Sequence, residues 1–249
     1  MDISAGIVLF NPDIKRLKEN IDAVIVQCTH VYLVDNGSKN ISEVLEMLNG
    51  FNSSQFSVIL NLENQGIAKA LNQLTIAAQK DGYEWILTLD QDSVSPSNII
   101  DEFENYTAYQ NVGMLCPVIY DRNKGEEIKA KEGCTEIDEC ITSGSLLNIE
   151  AWNNIGGFDE NMFIDGVDFD ICYRLRQSGY KILCIQSVIL LHELGRIEYH
   201  RFLFWRVLVK NHSAFRKYYI ARNIIYTAKK RSVIFKVEAV EGFSRETWV

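Results

Sequence analysis

The sequence of 249 residues lacks the signatures of several common protein classes. None of its six cysteines forms a C-x-x-C pair and no zinc-site spacing is present, so we interpret the cysteines as reduced thiols in a cytosolic protein. The first residues carry no basic segment of the kind that opens a signal peptide. The longest apolar stretch, about ten residues from Ile182 to Leu191, is too short to span a bilayer.

Several catalytic motifs are also missing. There is no G-x-x-x-x-G-K-[ST] loop and no G-x-G-x-x-G fingerprint, and no Ser/His/Asp arrangement can be assembled. A nucleotidyltransferase that makes sugar nucleotides would need a glycine-rich, basic loop after the first strand, and the segment 10–13 is not one. These absences disfavour P-loop, dinucleotide-binding and triad chemistry.

Composition indicates a globular protein with a sizeable core, since 47% of the residues are hydrophobic and 23% are charged. The net charge of −8 hides an asymmetry: residues 196–249 carry a net +8 and residues 1–195 a net −16. A basic tail on an acidic body suggests an anionic partner for the tail, either a membrane or a phosphate group. Charge pairing between body and tail is the alternative.

The N-terminal pattern predicts a βαβ unit. Residues 3–10 form an apolar run, Ile14 to Cys28 show apolar residues at helical spacing, and residues 31–34 form a second apolar run. Such a unit implies a parallel sheet with a right-handed crossover. Further alternation of apolar runs and helical patterns predicts an α/β fold with a mostly parallel sheet flanked by helices. Ligands in such sheets bind beyond the carboxyl ends of the strands.

Polar residues follow several of these strands. The strand ends place Asn11, Asp35, Asn36 and Asp92 along one edge of the sheet, with Asn64 and Lys69 near the start of a following helix.

The pair Asp90 and Asp92 ends an apolar run, and alternation along a strand would point both carboxylates the same way. Two hard carboxylates there suit a divalent cation that takes its other ligands from water and a substrate diphosphate. A polar strand end without function is the alternative.

Three more carboxylates cluster further along the chain, at Asp165, Asp168 and Asp170. An Asp facing an acceptor hydroxyl could remove its proton as a general base. Alternatively, Asp168 caps the helix that begins there and Asp170 only complements the helix dipole. His192 ends a strand and is either a third metal ligand or a surface residue.

The tail over 196–249 is expected to be helical, since aromatic residues are interleaved with basic ones at helical spacing from Arg201 to Arg231. This pattern fits a helix lying on an anionic bilayer, or a helix whose aromatics cap the domain. The acidic body disfavours nucleic acid as a partner. We therefore expect a main domain over 1–195 and a helical tail over 196–249.

Taken together, the motifs resemble those of the GT-A glycosyltransferases of family 2, most closely the bacterial rhamnosyltransferase-like branch. The resemblance covers nearly the whole chain. It rests on the segments 6–12, 34–38, 64–72, 89–93, 143–145, 157–160, 163–174, 192–195 and 215–223.

This resemblance implies that residues 1–195 form the catalytic domain, with a nucleotide-sugar half over about 1–93 and an acceptor half over about 94–195. It also implies roles for individual residues. Asn11 and Asp35 would hold the nucleotide base and ribose, with Asn36, Asn64 and Lys69 nearby. Asp90 would lie by the ribose and metal, Asp92 would bind Mn²⁺ or Mg²⁺, and His192 would approach the metal or the diphosphate. Further candidates for the substrate site are Ser143, Gly144, Arg216 and Arg222, the two arginines as ligands of a diphosphate.

The resemblance also implies the reaction, a single inverting displacement. Asp168 matches the Asp of the family's Glu-Asp base motif, but Val167 stands where that Glu often is, which leaves Asp165 as a rival base.

The implied donor is dTDP-L-rhamnose. The implied acceptor is a saccharide on polyprenyl diphosphate at the inner face of the bacterial plasma membrane, in O-antigen or capsule synthesis, by an enzyme that is cytoplasmic and peripheral. A UDP-hexose or UDP-galactofuranose donor is one alternative. A non-catalytic protein that binds sugar nucleotides is another.

Overall fold

The computed structural model describes residues 2–121, 130–192, 197–202, 205–210 and 213–245, and side chains within 2–120, 130–191 and 213–231. Ten strands lie in the described part of the chain: β1 Ile3–Leu9, β2 His30–Asp35, β3 Phe56–Leu60, β4 Trp85–Asp90, β5 Val112–Asp121, β6 Cys134–Glu136, β7 Ser145–Asn148, β8 Lys181–His192, β9 Ile197–Phe202 and β10 Trp205–Lys210. The α-helices there are α1 Ile14–Ile25, α2 Ile41–Leu48, α3 Ile67–Lys80, α4 Ile99–Thr107, α5 Ile149–Asn154, α6 Val167–Gln177 and α7 Ala214–Arg245.

Eight of these strands form one mixed sheet in the order β3-β2-β1-β4-β7-β5-β8-β6. The pairs β1–β2, β1–β4, β2–β3 and β5–β8 are parallel, whereas β7 and β6 run antiparallel to their neighbours. The predicted α/β fold with a mostly parallel sheet is therefore confirmed. The strand order reverses at β1, between β2 and β4, so a crevice opens beyond the carboxyl ends of β1 and β4.

Two hydrophobic layers cover the sheet. One is built around α1, α2 and α4 and contains Leu17, Ile21 and Phe103. The other is built around α3, α5 and α6 and contains Leu74, Trp152 and Ile171. Because the strands are covered on both faces, their side chains are apolar almost without interruption, and β1 is buried along its whole length.

The tail is helical only in part, unlike the expected helical region. Strands β9 and β10 pair as an antiparallel hairpin, and the helix α7 begins only at Ala214. The prediction of a helix was wrong for the hairpin and right for residues 214–245. The reason lies in composition, since residues 205–209 (Trp-Arg-Val-Leu-Val) are mostly aromatic and β-branched, and such residues favour strands. Among the described residues, the helices are too short or too polar to cross a membrane.

Candidate active site

The end of β4 holds Asp90 in place through its backbone. The Asp90 N–H donates to the hydroxyl of Ser143 at 3.0 Å, and the Asp90 carbonyl accepts from the side-chain amide of Asn20 at 2.7 Å. The Ser143 hydroxyl also lies 2.8 Å from that of Ser93. Ser143 and Ser93 are both buried, so this predicted substrate-site serine serves as a support beneath Asp90.

The neighbouring Gly144 occupies the left-handed region, with φ of +78°. A Cβ at this position would lie 2.6 Å from a side-chain carbon of Leu190, and the Gly144 N–H donates to the Thr88 carbonyl at 2.7 Å. A side chain there would be strained by the positive φ and would have to displace the Leu190 side chain.

The carboxyl of Asp90 lies in a strongly acidic surrounding. Burial and the nearby charges of Asp168 and Asp92 raise the pKa of Asp90 to about 7, although the Ser143 hydroxyl and Arg216 act in the opposite direction. Asp92 itself is exposed, in the turn that follows β4. The charges of Asp92 and Asp168 thus act on Asp90, and a bound cation would offset this repulsion.

This donor set fits a divalent cation. Among the described residues, no group of three or more His, Cys, Asp or Glu side chains is arranged to hold a metal. Two carboxylates with the remaining positions left to water and diphosphate match the preference of Mg²⁺ and Mn²⁺ for oxygen ligands. His192 ends β8, but its side chain lies outside the described residues, so its predicted role as a third ligand stays a prediction.

Asp35 lies at the end of β2 and is 2% exposed. Its Oδ2 accepts from the N–H groups of Gly37 and Ser38 at 3.1 and 3.0 Å. Its Oδ1 is buried and has no hydrogen-bond partner among the described residues. A buried acceptor without a partner is costly, so this oxygen is suited to a ligand that brings a donor.

Asn11 follows β1 with φ of +48°. Its N–H donates to the Ser38 hydroxyl at 2.8 Å and its Oδ1 accepts from the Lys39 N–H at 2.8 Å. These bonds join the loop after β1 to the loop after β2 and bring Asn11 beside the Asp35 loop.

Two predicted asparagines, Asn36 in the loop after β2 and Asn64 in the loop after β3, bond to each other. Asn36 donates to the Asn64 Oδ1 at 3.0 Å and to the Gly66 carbonyl at 3.3 Å, and it accepts from the Gln65 N–H and the Asn61 side chain. All four hydrogen-bonding positions of Asn36 are therefore used inside the protein. Its side chain shapes the loop and has no capacity left for a ligand.

Lys69, on the first turn of α3, is half-buried. Its ammonium group makes no hydrogen bond or ion pair in the part of the chain that the structure describes, which leaves its charge available at the same edge of the sheet.

Asp168 occupies the second position of α6 and does not cap the helix. The capping residue is Gly166, and Thr142 donates to the Asp168 Oδ1 through its hydroxyl at 2.7 Å and its N–H at 3.1 Å. Burial and the charge of Asp165 raise the pKa of Asp168, while the two bonds from Thr142 lower it. The helix-cap alternative is thus wrong, and the Asp168 carboxyl lies near enough to Asp90 for its charge to raise the pKa of Asp90.

Asp165 is engaged elsewhere. Its carboxylate accepts bonds from the Arg216 guanidinium, from Nε to Oδ2 at 3.0 Å and from the terminal nitrogen to Oδ1 at 3.0 Å. This bidentate pairing occupies both oxygens of the rival base and also occupies one of the predicted diphosphate-binding arginines. The other, Arg222, donates to the Asn161 carbonyl at 2.5 Å and stacks over the Tyr219 ring.

Asp170 forms ion pairs that join α6 to itself and to α7. It is 2% exposed and pairs with Arg174 at 2.7 Å and with Lys230 at 2.9 Å.

Sequence reasoning missed three residues that support this site, namely Asn20, Gln91 and Thr142. Gln91 pairs with the backbone of Phe10 through both ends of its amide, at 2.8 and 3.3 Å, and so joins the ends of β1 and β4. A periodic pattern gives no signal for them, because the partners lie from 26 to 81 residues apart in sequence.

Comparison with known proteins settles the family. A sequence model described as Glycosyl transferase family 2 matches residues 4–173. The chain belongs to this family. It is 28% identical to the dTDP-rhamnosyl transferase RfbF of Shigella flexneri, with 93% of this chain and 81% of that protein covered.

Solved structures share the fold at low sequence identity. The crystal structure of GalNAc-T7 with UDP, GalNAc and Mn²⁺ superposes with a TM-score of 0.62 at 17% identity, over 82% of this chain and 45% of that one. The mannosyltransferase PcManGT from Pyrobaculum calidifontis, in complex with GDP-Man and Mn²⁺, gives a TM-score of 0.62 at 16% identity, over 78% of this chain and 57% of that one. These neighbours establish the GT-A fold.

Proposed function

We propose that this chain is an inverting, metal-dependent glycosyltransferase that transfers L-rhamnose from dTDP-L-rhamnose to a saccharide acceptor. The acceptor is a saccharide carried on polyprenyl diphosphate, and the product is an O-antigen or capsular polysaccharide assembled at the inner face of the bacterial plasma membrane. One observation supports the reaction type: the charge of Asp168 acts on Asp90, whereas both oxygens of Asp165 are occupied by Arg216.

The donor is argued from two observations. The relative RfbF is named as a dTDP-rhamnosyl transferase and aligns with 93% of this chain. The buried Oδ1 of Asp35 lacks a partner among the described residues and is suited to accept the N3–H of a thymine base. Uracil carries the same N3–H, so a UDP-hexose or UDP-galactofuranose donor is the second candidate.

In the proposed reaction, the acceptor hydroxyl attacks the anomeric carbon of the sugar. Asp168 takes the hydroxyl proton as the new bond forms, and the bond from the anomeric carbon to the diphosphate oxygen breaks on the opposite face. One displacement inverts the configuration, and no sugar becomes attached to the protein.

The residues that would hold a divalent ion are Asp90 and Asp92, with His192 as a third candidate. When bound, Mn²⁺ or Mg²⁺ would offset the charge that builds up on the leaving diphosphate. Support comes from the acidic crevice and from the two solved neighbours, which both contain Mn²⁺. The free ammonium group of Lys69 is available to the nucleotide at the same edge.

The experiment measures release of nucleoside diphosphate from dTDP-L-rhamnose, UDP-glucose and UDP-galactofuranose, with and without Mn²⁺, using water as the acceptor. We expect Mn²⁺-dependent release from dTDP-L-rhamnose. We also expect Asp168→Asn to lower the rate about 100-fold or more while calorimetry shows unchanged donor binding, since general-base catalysis is worth that much. Asp165→Asn is the matched control and should retain most of the rate.

Other outcomes assign the function differently. Turnover of a UDP-sugar alone would replace the donor and keep the mechanism. If Asp165→Asn is inactive and Asp168→Asn is active, Asp165 is the base and the assignment is reversed. Binding of every donor without metal-dependent release would point to a non-catalytic protein that binds sugar nucleotides.

A further inference from the structure

Thr142 makes two hydrogen bonds to one and the same oxygen of Asp168. Its hydroxyl lies 2.7 Å and its backbone nitrogen 3.1 Å from Oδ1. In the part of the chain that the structure describes, no donor of another residue reaches Oδ2. The two oxygens of this carboxylate therefore differ: one is saturated by the protein and the other is open.

Thr142 is itself firmly held. It is 8% exposed, and its carbonyl accepts from the Thr88 hydroxyl at 2.7 Å and from the Ser145 N–H at 3.0 Å. Thr88 lies in β4, two residues before Asp90. The position of the Asp168 carboxylate is thus tied through Thr142 to the strand that carries the candidate metal-binding residues.

We propose that Thr142 is a positioning residue that holds Oδ1 of Asp168 and thereby presents Oδ2 to the hydroxyl of the sugar acceptor. This inference rests on the proposed function, in which Asp168 is the general base. Thr142 does not touch the substrate. Its effect is to fix the rotation of the carboxylate, so that one oxygen points into the crevice before the acceptor binds.

The hydroxyl has an electrostatic effect as well. The charged groups around Asp168 are Asp165 from the preceding loop and Asp90 from β4, with Arg216 of α7 acting on Asp90. Hydrogen bonds that favour the ionised form oppose burial and the repulsion from Asp165. Loss of the Thr142 hydroxyl should therefore raise the pKa of Asp168 further.

The first test needs no substrate. The full-length protein is labelled with ¹³C at the aspartate carboxyl carbons and titrated by NMR, and the Asp168 resonance is assigned by its loss in Asp168→Asn. We expect Thr142→Val, which keeps the shape and removes the hydroxyl, to move the titration midpoint of Asp168 upward by about one pH unit. Thr142→Ser should restore the wild-type midpoint. Thr107→Val removes a hydroxyl that bonds to the Glu104 carbonyl on α4 and should leave the midpoint unchanged.

The second test measures Mn²⁺-dependent release of dTDP from dTDP-L-rhamnose. We expect Thr142→Val to lower the turnover rate about tenfold, with donor affinity within about twofold of wild type, and Thr142→Ser to recover the rate. All variants should show the same cooperative thermal unfolding as wild type, which shows that they fold.

The inference and the proposed function fail in different ways. If a folded Thr142→Val variant keeps both the wild-type midpoint and the wild-type rate, Thr142 has no positioning role, even when Asp168→Asn is inactive. The same conclusion follows if Thr142→Ser loses as much as Thr142→Val. If Asp168→Asn stays active, the base assignment itself is wrong, whatever the NMR titration shows.

Discussion

Asp35 differs from the other carboxylates in which of its oxygens the protein uses. Gly37 and Ser38 donate to Oδ2, whereas the buried Oδ1 is left without a partner among the described residues. In an asparagine at this position, the amide oxygen would keep the two backbone donors and the NH₂ group would replace Oδ1. The site would then offer a donor where it now offers an acceptor.

We therefore predict that Asp35→Asn exchanges the preferred base. Thymine presents N3–H as a donor and cytosine presents N3 as an acceptor, so dTDP should bind about tenfold more weakly and dCDP more tightly than to wild type. Calorimetric titration with both nucleotides in the presence of Mn²⁺ measures the exchange. Asp13→Asn, a change in the exposed helix cap of α1, is the control. Unchanged dTDP affinity in Asp35→Asn would mean that Oδ1 does not contact the base.

The sequence pattern reveals some residues of the candidate site and not others. Asp35, Asp90 and Asp92 could be found because each follows an apolar run, and the end of a strand is a local feature of the sequence. Thr142 could not be found, because its importance arises from a contact with Asp168, 26 residues away on a different element. The choice between Asp165 and Asp168 was open for the same reason: only the fold shows that Arg216 occupies Asp165.

At the scale of elements, α7 holds the loop that leads into α6 through hydrogen bonds and an ion pair. Lys230 bonds to Asp159 and Tyr226 to the same carboxylate, and Asn223 donates to the carbonyls of Ile164 and Asp165. The same loop packs closely on the start of α3: Gly66 has φ of +85°, and a Cβ there would lie 2.7 Å from the Phe163 carbonyl oxygen. The loop that precedes the proposed base is thus held between α3 and α7.

Lys230 forms the ion pairs between α7 and the region around α6. Its ammonium group lies 2.6 Å from Asp159 and 2.9 Å from Asp170, and the side chains of the two carboxylates are 12% and 3% exposed. We predict that Lys230→Met lowers the free energy of unfolding at pH 7 by about 2 kcal/mol, because two poorly solvated carboxylates lose a partner. Urea unfolding measures this difference. Lys217→Met, the same change at an exposed position of α7, should lower stability by less than about 0.5 kcal/mol.

The difference in unfolding free energy between wild type and Lys230→Met should depend on pH, which gives a further check. Burial alone would raise the pKa of Asp159, but hydrogen bonds from Lys230, Tyr226 and Asn161 lower it to about 2. Because the pKa is lower in the folded state than the ordinary value of 3.8, this group stabilises the protein fully above about pH 4, and the contribution is lost as the pH falls toward 2. The gap between wild type and Lys230→Met should therefore narrow from pH 4 downward. A gap that stays constant to pH 2.5 would show that the Asp159–Lys230 pair contributes nothing.

The element that sequence reasoning got wrong is the hairpin of β9 and β10. Basic and aromatic residues recur throughout 196–249, and this composition suggested one helical region. Within residues 197–210 the alternation has the two-residue period of a strand, and β9 and β10 pair in a continuous antiparallel register. In contrast, the βαβ units were predictable, because each combines a short apolar run with a helical period over a longer segment.

At the scale of the molecule, the described part of α7 combines two different faces. Its contacts with the loop before α6 cover one side, and the other side exposes Tyr218 at 61%, Ile224 at 66% and Ile225 at 58%. Residues 214–231 contain six Lys or Arg and no Asp or Glu, although the body of the protein is acidic. Exposed apolar side chains among cations are typical of helices that lie on anionic bilayers.

We therefore predict that the protein binds vesicles through this face of α7. Sedimentation with phosphatidylglycerol vesicles at 0.1 M NaCl should show binding. This binding should weaken at 0.5 M NaCl and on phosphatidylcholine vesicles, because each Lys or Arg near an anionic surface contributes about 1 kcal/mol that salt screens.

The double variant Tyr218→Ser/Ile225→Ser tests the apolar side chains of this face. Its affinity for the vesicles should fall at least about tenfold, since two apolar side chains no longer enter the interface. The control Val26→Ser/Ile76→Ser changes two residues outside α7, the C-cap of α1 and a residue of α3, which are 81% and 39% exposed, and should bind as wild type does. Equal losses in the two double variants would mean that α7 has no special role. Binding that is indifferent to lipid charge and salt would mean that its cations serve the body of the protein, and a lipid-linked acceptor would then have to reach the crevice without help from this helix.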